Sequence, residues 1–359
     1  MELQRNRTEQ AKYDFVGGLM AFNSTGIGPG MVKHYDANKS KFGEKMPTIA
    51  DVKAIMDPST IYKFGAFFEK HNHAMMFQTI LDVLENKKDE VTEWLDTVDE
   101  PDALGTVTLN DDVKPPRYYK NVEIHTQPGN YHHPFGGILY HWMIEPFLVH
   151  RDEQNGMGWA LANGIPEGEH KKIVDFGCGI GKSTLPYCDL YPEAEVYGVD
   201  YAASQLKYGH KFADSLGKKV HFVQALAEDT PFEDNSVDVV TALWLFHEVN
   251  KKAMDEICAE ALRILKPGGY FAIMESPPYK FLREEISPLS EFLLDSTGRR
   301  MEDPFIPLWF SLDRAKLLRD GNFENVREEE LPNELTGWSA GGDYFFGAFP
   351  WYMSVGQKP

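Results

Sequence analysis

The sequence is poor in cysteine and in positive charge. Its 359 residues include three cysteines, Cys178, Cys188 and Cys258, and no CxxC pair. So sparse and odd a set predicts free thiols in a reducing compartment and disfavours a cysteine-based zinc site. Lysine and arginine number 36 against 55 aspartates and glutamates, which gives a formal net charge of −19. A surface this acidic repels phosphate backbones, so we expect no nucleic-acid partner.

Long apolar runs are lacking as well. No stretch approaches the ~20 apolar residues that a membrane span requires. Residues 1–7 are polar where a secretory signal would carry an apolar segment. We therefore expect a cytoplasmic protein without a membrane partner. What the sequence does have is an ordinary globular composition, with 42% hydrophobic and 25% charged residues, and enough length for a large domain with a smaller one.

The first region, residues 1–150, is predicted to be a mostly helical cap, lid or dimerisation region. Asp57 and Pro58 are expected to begin a helix, and residues 99–117 read as a linker. The predicted helix carries an apolar stripe that we expect to pack in the core. Its residues are Phe64, Phe67, Phe68, Met75, Met76, Ile80 and Leu84.

The second region, residues 151–359, changes pattern at residue 173, where predicted strands begin to alternate with predicted helices. This alternation predicts an α/β fold with a mainly parallel sheet and helices on both faces. Two late strands, at 325–331 and 350–355, are expected to form an antiparallel hairpin at the edge of the sheet.

A glycine-rich turn follows the first strand of the second region. The run Gly-Cys-Gly-Ile-Gly at 177–181 allows a sharp turn and a close approach to a ligand. A dinucleotide fingerprint needs its third glycine at position 182, which is Lys182, so a nicotinamide cofactor is disfavoured. A P-loop ending at Gly181 needs its first glycine at position 176, which is Phe176. The glycine spacing thus fits neither a dinucleotide-binding fingerprint nor a P-loop.

Two acids end neighbouring predicted strands beside this turn. Asp175 precedes the first glycine by two residues and can meet an ammonium group. Asp200 ends the next strand, where a carboxylate can accept hydrogen bonds from both hydroxyls of a ribose.

Four ordered motifs now resemble the class I S-adenosylmethionine-dependent methyltransferases. They occupy residues 174–181, 198–200, 227–240 and 262–269, within a resemblance that covers about 173–276. The resemblance implies a Rossmann-like sheet with an antiparallel last strand, and S-adenosylmethionine as the cofactor. The residues that it assigns to cofactor binding are Asp175, Gly177, Gly179, Gly181, Asp200, Tyr201, Ala227, Glu228 and Leu243.

The resemblance has one visible departure. Leu226 stands where many members of the family carry an acid that meets the adenine amine. We therefore expect Glu228 or the backbone of Ala227 to make that contact.

A histidine and a glutamate follow the fourth and fifth predicted strands of the cofactor-binding unit. His247 and Glu275 resemble a pair in plant small-molecule O-methyltransferases, where the histidine is the base and the glutamate orients it. A neutral imidazole with an ordinary pKa of ~6.5 is a suitable base. The alternative is that His247 only packs beside the cofactor and that Glu275 caps a helix.

An aromatic and histidine-rich stretch, residues 131–142, precedes the cofactor-binding unit, and such segments often fold over the cleft as a lid. Tyr131 and His132 are expected to contact the substrate, as is Trp244. The aromatic loop at 337–346 is expected either to wall the substrate pocket or to be an ordinary loop.

A metal site is not expected. Four histidines are possible ligands, but neither an HxxxH pair nor a matching carboxylate supports them. They are His125, His132, His133 and His141.

The sequence therefore predicts a methyltransferase that acts on a small, partly apolar acceptor. Oxygen is the favoured acceptor atom because His247 and Glu275 supply a base, and nitrogen, carbon and sulfur stay open. An NAD-dependent oxidoreductase and a non-catalytic S-adenosylmethionine-binding protein are the competing classes. A homodimer is a further expectation, since N-terminal helical regions of such enzymes often dimerise.

Overall fold

The computed structural model describes residues 4–97, 102–148, 155–281, 288–331 and 351–359. Helices make up most of the first region and alternate with strands in the second. The helices are α1 Arg7–Phe22, α2 Gly28–Asn38, α3 Ile49–Met56, α4 Thr60–Glu85, α5 Lys88–Asp96, α6 Gly136–Phe147, α7 Gly156–Gly164, α8 Leu185–Leu190, α9 Ala203–Ser215, α10 Lys251–Ile264, α11 Pro288–Arg300, α12 Ile306–Ser311 and α13 Arg314–Asp320.

The described strands form a single sheet. They are β1 Thr106–Thr108, β2 Lys172–Phe176, β3 Glu195–Asp200, β4 His221–Gln224, β5 Val237–Leu243, β6 Leu265–Glu275, β7 Glu324–Glu330 and β8 Tyr352–Gln357. Their order is β1-β4-β3-β2-β5-β6-β8-β7. The pairs from β1 to β6 are parallel, whereas β8 is antiparallel to both β6 and β7. This topology confirms the predicted α/β fold with antiparallel strands at one edge.

The central strands are buried on both faces, as parallel strands between two helical layers must be. Successive residues point to opposite faces, so Ile173 packs among α7, α8 and α9. Its neighbour Val174 packs on the other side, in a core shared with α10 and α13. The carboxyl ends of β2, β3, β5 and β6 therefore meet at one edge of the sheet, which is where ligands bind in such folds.

The N-terminal helices pack over that edge. Asn6 and Glu9 form a capping box that begins α1, and α1 lies against α4 and α6 in a shared apolar cluster. A π-helical segment, Asn23–Ile27, joins α1 to α2. The predicted helix start at Asp57 is wrong: α4 begins at Thr60, and Asp57 follows the last turn of α3, where its N–H donates to the Lys53 carbonyl.

The apolar stripe on α4 divides between two faces of the helix. Met76, Ile80 and Leu84 are buried, as predicted. Phe64 and Phe67 are 54% and 56% exposed, so the prediction of core packing is wrong for them and for Met75. Residues 76, 80 and 84 follow one line along the helix, toward α1 and α6, and the exposed residues follow another.

The predicted linker at 99–117 contains strand β1, which pairs in parallel with β4. Three residues are too few to show the alternation that marks a strand in sequence. The first region thus contributes a strand to the sheet of the second, and the division at residue 150 stays a prediction. Among the described helices, none is both long and apolar enough to cross a membrane. The aromatic loop at 337–346 lies outside the described residues.

Candidate active site

The three glycines of the turn after β2 all have positive φ angles, of 65° at Gly177, 53° at Gly179 and 86° at Gly181. Residues other than glycine rarely adopt this left-handed backbone conformation. Gly177 and Gly179 also line the cavity above the sheet. Gly181 faces the protein instead, since a Cβ there would lie 2.9 Å from Cζ of Phe222. Two of the predicted glycines thus border the cavity, while the third shapes the turn.

The cavity has a volume of about 310 Å³ and lies between the carboxyl ends of the central strands and the N-terminal helices. One half is lined by the glycine turn and by residues at the ends of β3 and β4. The other half is lined by α1, α4, α6 and α11. Most of the predicted site residues border the first half, and they are Gly177, Gly179, Asp200, Tyr201, Ala227, Glu228, Leu243, Trp244, His247 and Glu275.

Asp200 is held at the end of β3 by the turn itself. Its Oδ2 accepts from the Gly179 N–H at 2.9 Å, and its Oδ1 accepts from the Ala202 N–H at 2.9 Å. Burial raises the pKa of Asp200 to about 6, although these amide hydrogen bonds act in the opposite direction. Gln205 lies beside it, 2% exposed, and its Oε1 has no hydrogen-bond partner among the residues that the structure describes. The partly buried carboxylate of Asp200 and the buried amide oxygen of Gln205 suit hydroxyl and amine donors of a nucleoside.

Asp175 lies beneath the turn and does not border the cavity. Its Oδ2 accepts from Ser183 Oγ at 2.6 Å and Thr184 Oγ1 at 2.7 Å. Its Oδ1 accepts from Thr241 Oγ1 at 2.9 Å, on β5. In this structure all three hydrogen bonds of the carboxylate go to protein hydroxyls, and the predicted contact with an ammonium group stays a prediction. The carboxylate joins β2, β5 and the segment after the turn.

Replacing Asp175 by alanine should destabilise the fold more than it weakens cofactor binding. The change leaves up to three buried hydroxyls without their acceptor, so we expect a loss of about 3 kcal/mol in the free energy of unfolding. Urea denaturation measures this loss, with the exposed Asp189→Ala as the matched control. If Asp175→Ala unfolds like the wild type but binds cofactor weakly, Asp175 contacts the ligand after all.

The side of the cavity beyond β4 carries the residues expected near the adenine. Leu226, Ala227 and Glu228 all border it. Tyr118 donates its hydroxyl to Glu228 Oε1 at 3.0 Å. Tyr201 donates to the Asn130 carbonyl at 3.0 Å, which ties the end of β3 to the segment before α6. The expected adenine contact by Glu228 or Ala227 stays a prediction.

His247 and Glu275 lie in contact at the ends of β5 and β6. His247 Nδ1 is 2.9 Å from Glu275 Oε2, and the Phe246 N–H donates to Glu275 Oε1 at 3.0 Å. Both side chains are buried and border the cavity. Burial acts to lower the pKa of His247, but the charge and hydrogen bond of Glu275, with the charge of Glu248, outweigh it and raise that pKa. The arrangement can hold Nδ1 protonated and leave Nε2 to take a proton.

A second histidine extends this pair into a network. His125 lies between Asp303, 3.0 Å from its Nδ1, and Glu248, 3.1 Å from its Nε2. Burial acts to lower the pKa of His125, but the two carboxylates outweigh it and raise the pKa well above the ordinary value. His125, His247 and Glu248 place ligand atoms within 4.8 Å of one another. Because carboxylates flank His125 on both sides, we interpret the group as an ion-pair network.

The loop that carries His125 has an unusual backbone. His125 and Tyr131 are among several residues between 121 and 131 with positive φ, at 55° and 71°. Such strain is stored where the surroundings fix it, often at functional sites. Tyr131 borders the cavity and donates its hydroxyl to Glu248 Oε1 at 2.9 Å. The side chains of His125 and Tyr131, both from this loop, thus contact Glu248.

The remaining predicted residues are scattered. His132 lies outside the cavity lining and packs its ring on Tyr201, with the ring centroids 4.9 Å apart. Trp244 borders the cavity and packs against Trp351. His133 accepts from the Phe135 N–H. His141 contacts the Tyr208 hydroxyl, so the four histidines that could serve as metal ligands do not form one cluster among the described residues, and the absence of a metal stays a prediction.

Several residues at the site were not predicted from the sequence. Asp303 follows α11 and joins the site only through the fold. Glu248 stands directly after His247, so its position next to the candidate base could have indicated it. Asn23, Asn72 and His73 border the other half of the cavity from α4 and the π-helical segment, and nothing local in the sequence marks them.

Comparisons with known proteins agree with this geometry. Residues 173–269 match the model of a methyltransferase domain. The demethylmenaquinone methyltransferase of Thermus thermophilus is 34% identical over 108 residues, which cover 30% of this chain and 48% of the relative. The ubiquinone/menaquinone biosynthesis C-methyltransferase UbiE of Stutzerimonas stutzeri is 39% identical over 133 residues, covering 36% and 51%. The chain spans about half the length of these curated relatives.

A solved structure of a SAM-dependent methyltransferase from Thermotoga maritima is also similar, with 21% identity and a TM-score of 0.44, over 64% of this chain and 100% of that one. The domain match begins one residue after the start of β2 and ends within β6. It therefore includes the glycine turn, Asp200 and His247. Residues 173–269 of this chain form a methyltransferase domain.

Proposed function

We propose that this chain transfers a methyl group from S-adenosylmethionine to a small, partly apolar acceptor, with His247 as the base. The observation that carries the proposal is the buried His247–Glu275 pair beside the cavity that also holds the glycine turn and Asp200. The cofactor, when bound, supplies an activated methyl group on a sulfonium sulfur.

The residues of the first half of the cavity would hold that cofactor. Asp200 offers carboxylate oxygens for the ribose, and the backbone at Gly177 and Gly179 allows a close approach. A Cβ added at Gly179 would find only Gln205 Oε1 nearby, 3.8 Å away, so the space above this glycine is open. These features fit a nucleoside with an amino-acid tail.

The dyad supports an acceptor atom that loses a proton. Glu275 holds Nδ1–H of His247, so the lone pair on Nε2 is available to remove a proton from the acceptor. A hydroxyl oxygen is the first candidate. An acidic carbon is the second, because the relative from Stutzerimonas stutzeri is named as a C-methyltransferase. An amine that is already neutral would not need this base.

The test begins with calorimetric titration of the full chain with S-adenosylmethionine, S-adenosylhomocysteine, NADH and ATP. We expect micromolar affinity for the two sulfur nucleosides alone. Incubation with S-adenosylmethionine and a panel of phenols, enols and hydroquinones should then yield a product heavier by one methylene, detected by mass spectrometry. Binding of NADH or ATP without the sulfur nucleosides would overturn the proposal.

The rate of methyl transfer should fall on the acid side of the pH profile. The base acts as neutral imidazole, and Glu275 raises the pKa of His247 above its ordinary 6.5. The acid limb of kcat/KM should therefore lie above pH 6.5. Glu275→Gln removes the charge, so the limb should move to lower pH. Profiles between about pH 5 and 9 test this, with the exposed Glu256→Gln as control. If the acid limb of kcat/KM lies at the same pH in Glu275→Gln as in the wild type, the titrating group is not His247.

A further inference from the structure

A buried polar wall borders the half of the cavity that faces the N-terminal helices. Asn23, Asn72 and His73 line it and are 6%, 2% and 6% exposed. Asn23 Oδ1, Asn72 Nδ2 and His73 Nδ1 have no hydrogen-bond partner in the described part of the chain. Buried polar atoms are nearly always paired, because an unpaired one loses its hydration without compensation. Three unpaired atoms around one cavity indicate that a ligand supplies the partners.

The backbone that carries this wall is itself unusual. Asn23 begins the π-helical segment Asn23–Ile27, between α1 and α2. π-helical turns are rare and occur frequently at functional sites. Asn72 and His73 lie in the middle of α4, which packs against both α1 and this segment. All of these residues lie outside the stretch that matches the methyltransferase domain model.

The wall carries no free charge. Burial lowers the pKa of His73 to about 3, so its imidazole is neutral. Glu69, one turn earlier on α4, accepts from Thr297 Oγ1 at 2.8 Å and from Arg300 Nε at 2.5 Å. Lys182, the lysine of the cavity lining, pairs with Glu145 at 3.1 Å. An anionic ligand group would therefore compete with a carboxylate for each of these cations, whereas a neutral polar group would not.

Apolar side chains surround the wall. Met20, Met143, Phe147 and Leu293 border the same cavity. The His73 ring meets Phe147 edge to face, with centroids 5.2 Å apart. A ligand in this half of the cavity thus meets an apolar surface with a small neutral polar patch.

We propose that Asn23, Asn72 and His73 anchor a neutral hydroxyl or carboxamide group of an otherwise apolar acceptor. A hydroxyl can donate to Asn23 Oδ1 while it accepts from Asn72 Nδ2, and a carboxamide can do the same with two atoms. The inference rests on the proposed function, because it takes this half of the cavity as the acceptor site. It names the three side chains that select the acceptor.

The experiment uses four probes that share one apolar body: naphthalene, naphthol, naphthamide and naphthoate. Each is titrated by fluorescence into the full chain saturated with S-adenosylhomocysteine. We expect naphthol or naphthamide to bind at least ~10-fold more tightly than naphthalene and naphthoate, because a site built for hydrogen bonds rejects ligands that leave its groups unpaired. The stronger of the two identifies the group. Asn23→Ala and Asn72→Ala should reduce that affinity to about the affinity for naphthalene.

The control is Gln78→Ala, which removes an exposed carboxamide from the same helix. It should keep the wild-type preference. Affinity for S-adenosylhomocysteine is measured first in every variant, so absent cofactor binding in the wild type counts against the proposed function alone. Equal binding of naphthalene, tighter binding of naphthoate, no binding of any probe, or a preference that survives both substitutions would each overturn the subsite. The lack of a wild-type preference would overturn the subsite even if a variant fails to fold.

Discussion

His247→Ala should slow methyl transfer by ~10²–10⁴, the range that a positioned general base contributes. The loss should fall on kcat, because the side chain acts on the proton of the acceptor. Affinity for S-adenosylhomocysteine should stay within about twofold, since Asp200 and the glycine turn do not depend on this imidazole. The acceptor identified in the product screen is the substrate for this measurement.

The matched control is His71→Ala, which removes an exposed histidine on α4, and it should turn over like the wild type. Imidazole added to His247→Ala should restore part of the rate if the deleted side chain is a base. Full activity in His247→Ala would show that His247 is not a base. The acceptor would then be one that loses no proton to the protein, such as a neutral amine.

Asp200→Ala should weaken the binding of S-adenosylmethionine and S-adenosylhomocysteine by about a hundredfold. The carboxylate is partly buried and borders the cavity, and hydrogen bonds to a charged group contribute about 1.5–3 kcal/mol each. A loss of about 3 kcal/mol corresponds to about two decades in Kd. Calorimetric titration of the variant gives this number directly.

Asp200 also accepts from the Gly179 N–H, so part of the loss comes through the turn. Asp200→Asn keeps the size of the side chain and separates the two contributions, since an amide oxygen can still accept from one backbone N–H. The control is the exposed Asp111→Ala. Unchanged affinity in Asp200→Ala would show that the cofactor does not use the end of β3.

The parts of the site that sequence predicted are those set by local spacing. The glycine turn, Asp200 and His247 each lie at or after the end of a short apolar strand that can be recognised in the sequence, and parallel strands bring their carboxyl ends to one edge. His247 and Glu275 meet for this reason. The orientation of a side chain, however, also depends on residues that are distant in the sequence. Asp175 is the penultimate residue of β2, and Thr241 on β5 and Ser183 after the turn hold its carboxylate away from the cavity.

The acceptor half of the site was not readable from sequence. Asn23 and Asn72 stand on two helices that meet only in the fold, and a lone asparagine in a helix carries no periodic signal. The exposed line of Phe64, Phe67 and Met75 shows the same limit, because spacing finds an apolar face but not what covers it. The π-helical segment depends on packing between α1, α2 and α4 rather than on a motif.

Strand β1 has a consequence for the independence of the methyltransferase domain. It comes from the first region and covers the outer edge of β4, where Thr106 pairs with His221. An uncovered edge strand offers unpaired backbone groups to other chains and promotes aggregation. A shortened protein that begins at residue 151 would keep the glycine turn but expose this edge. The N-terminal region therefore protects the sheet from self-association, in addition to walling the cavity.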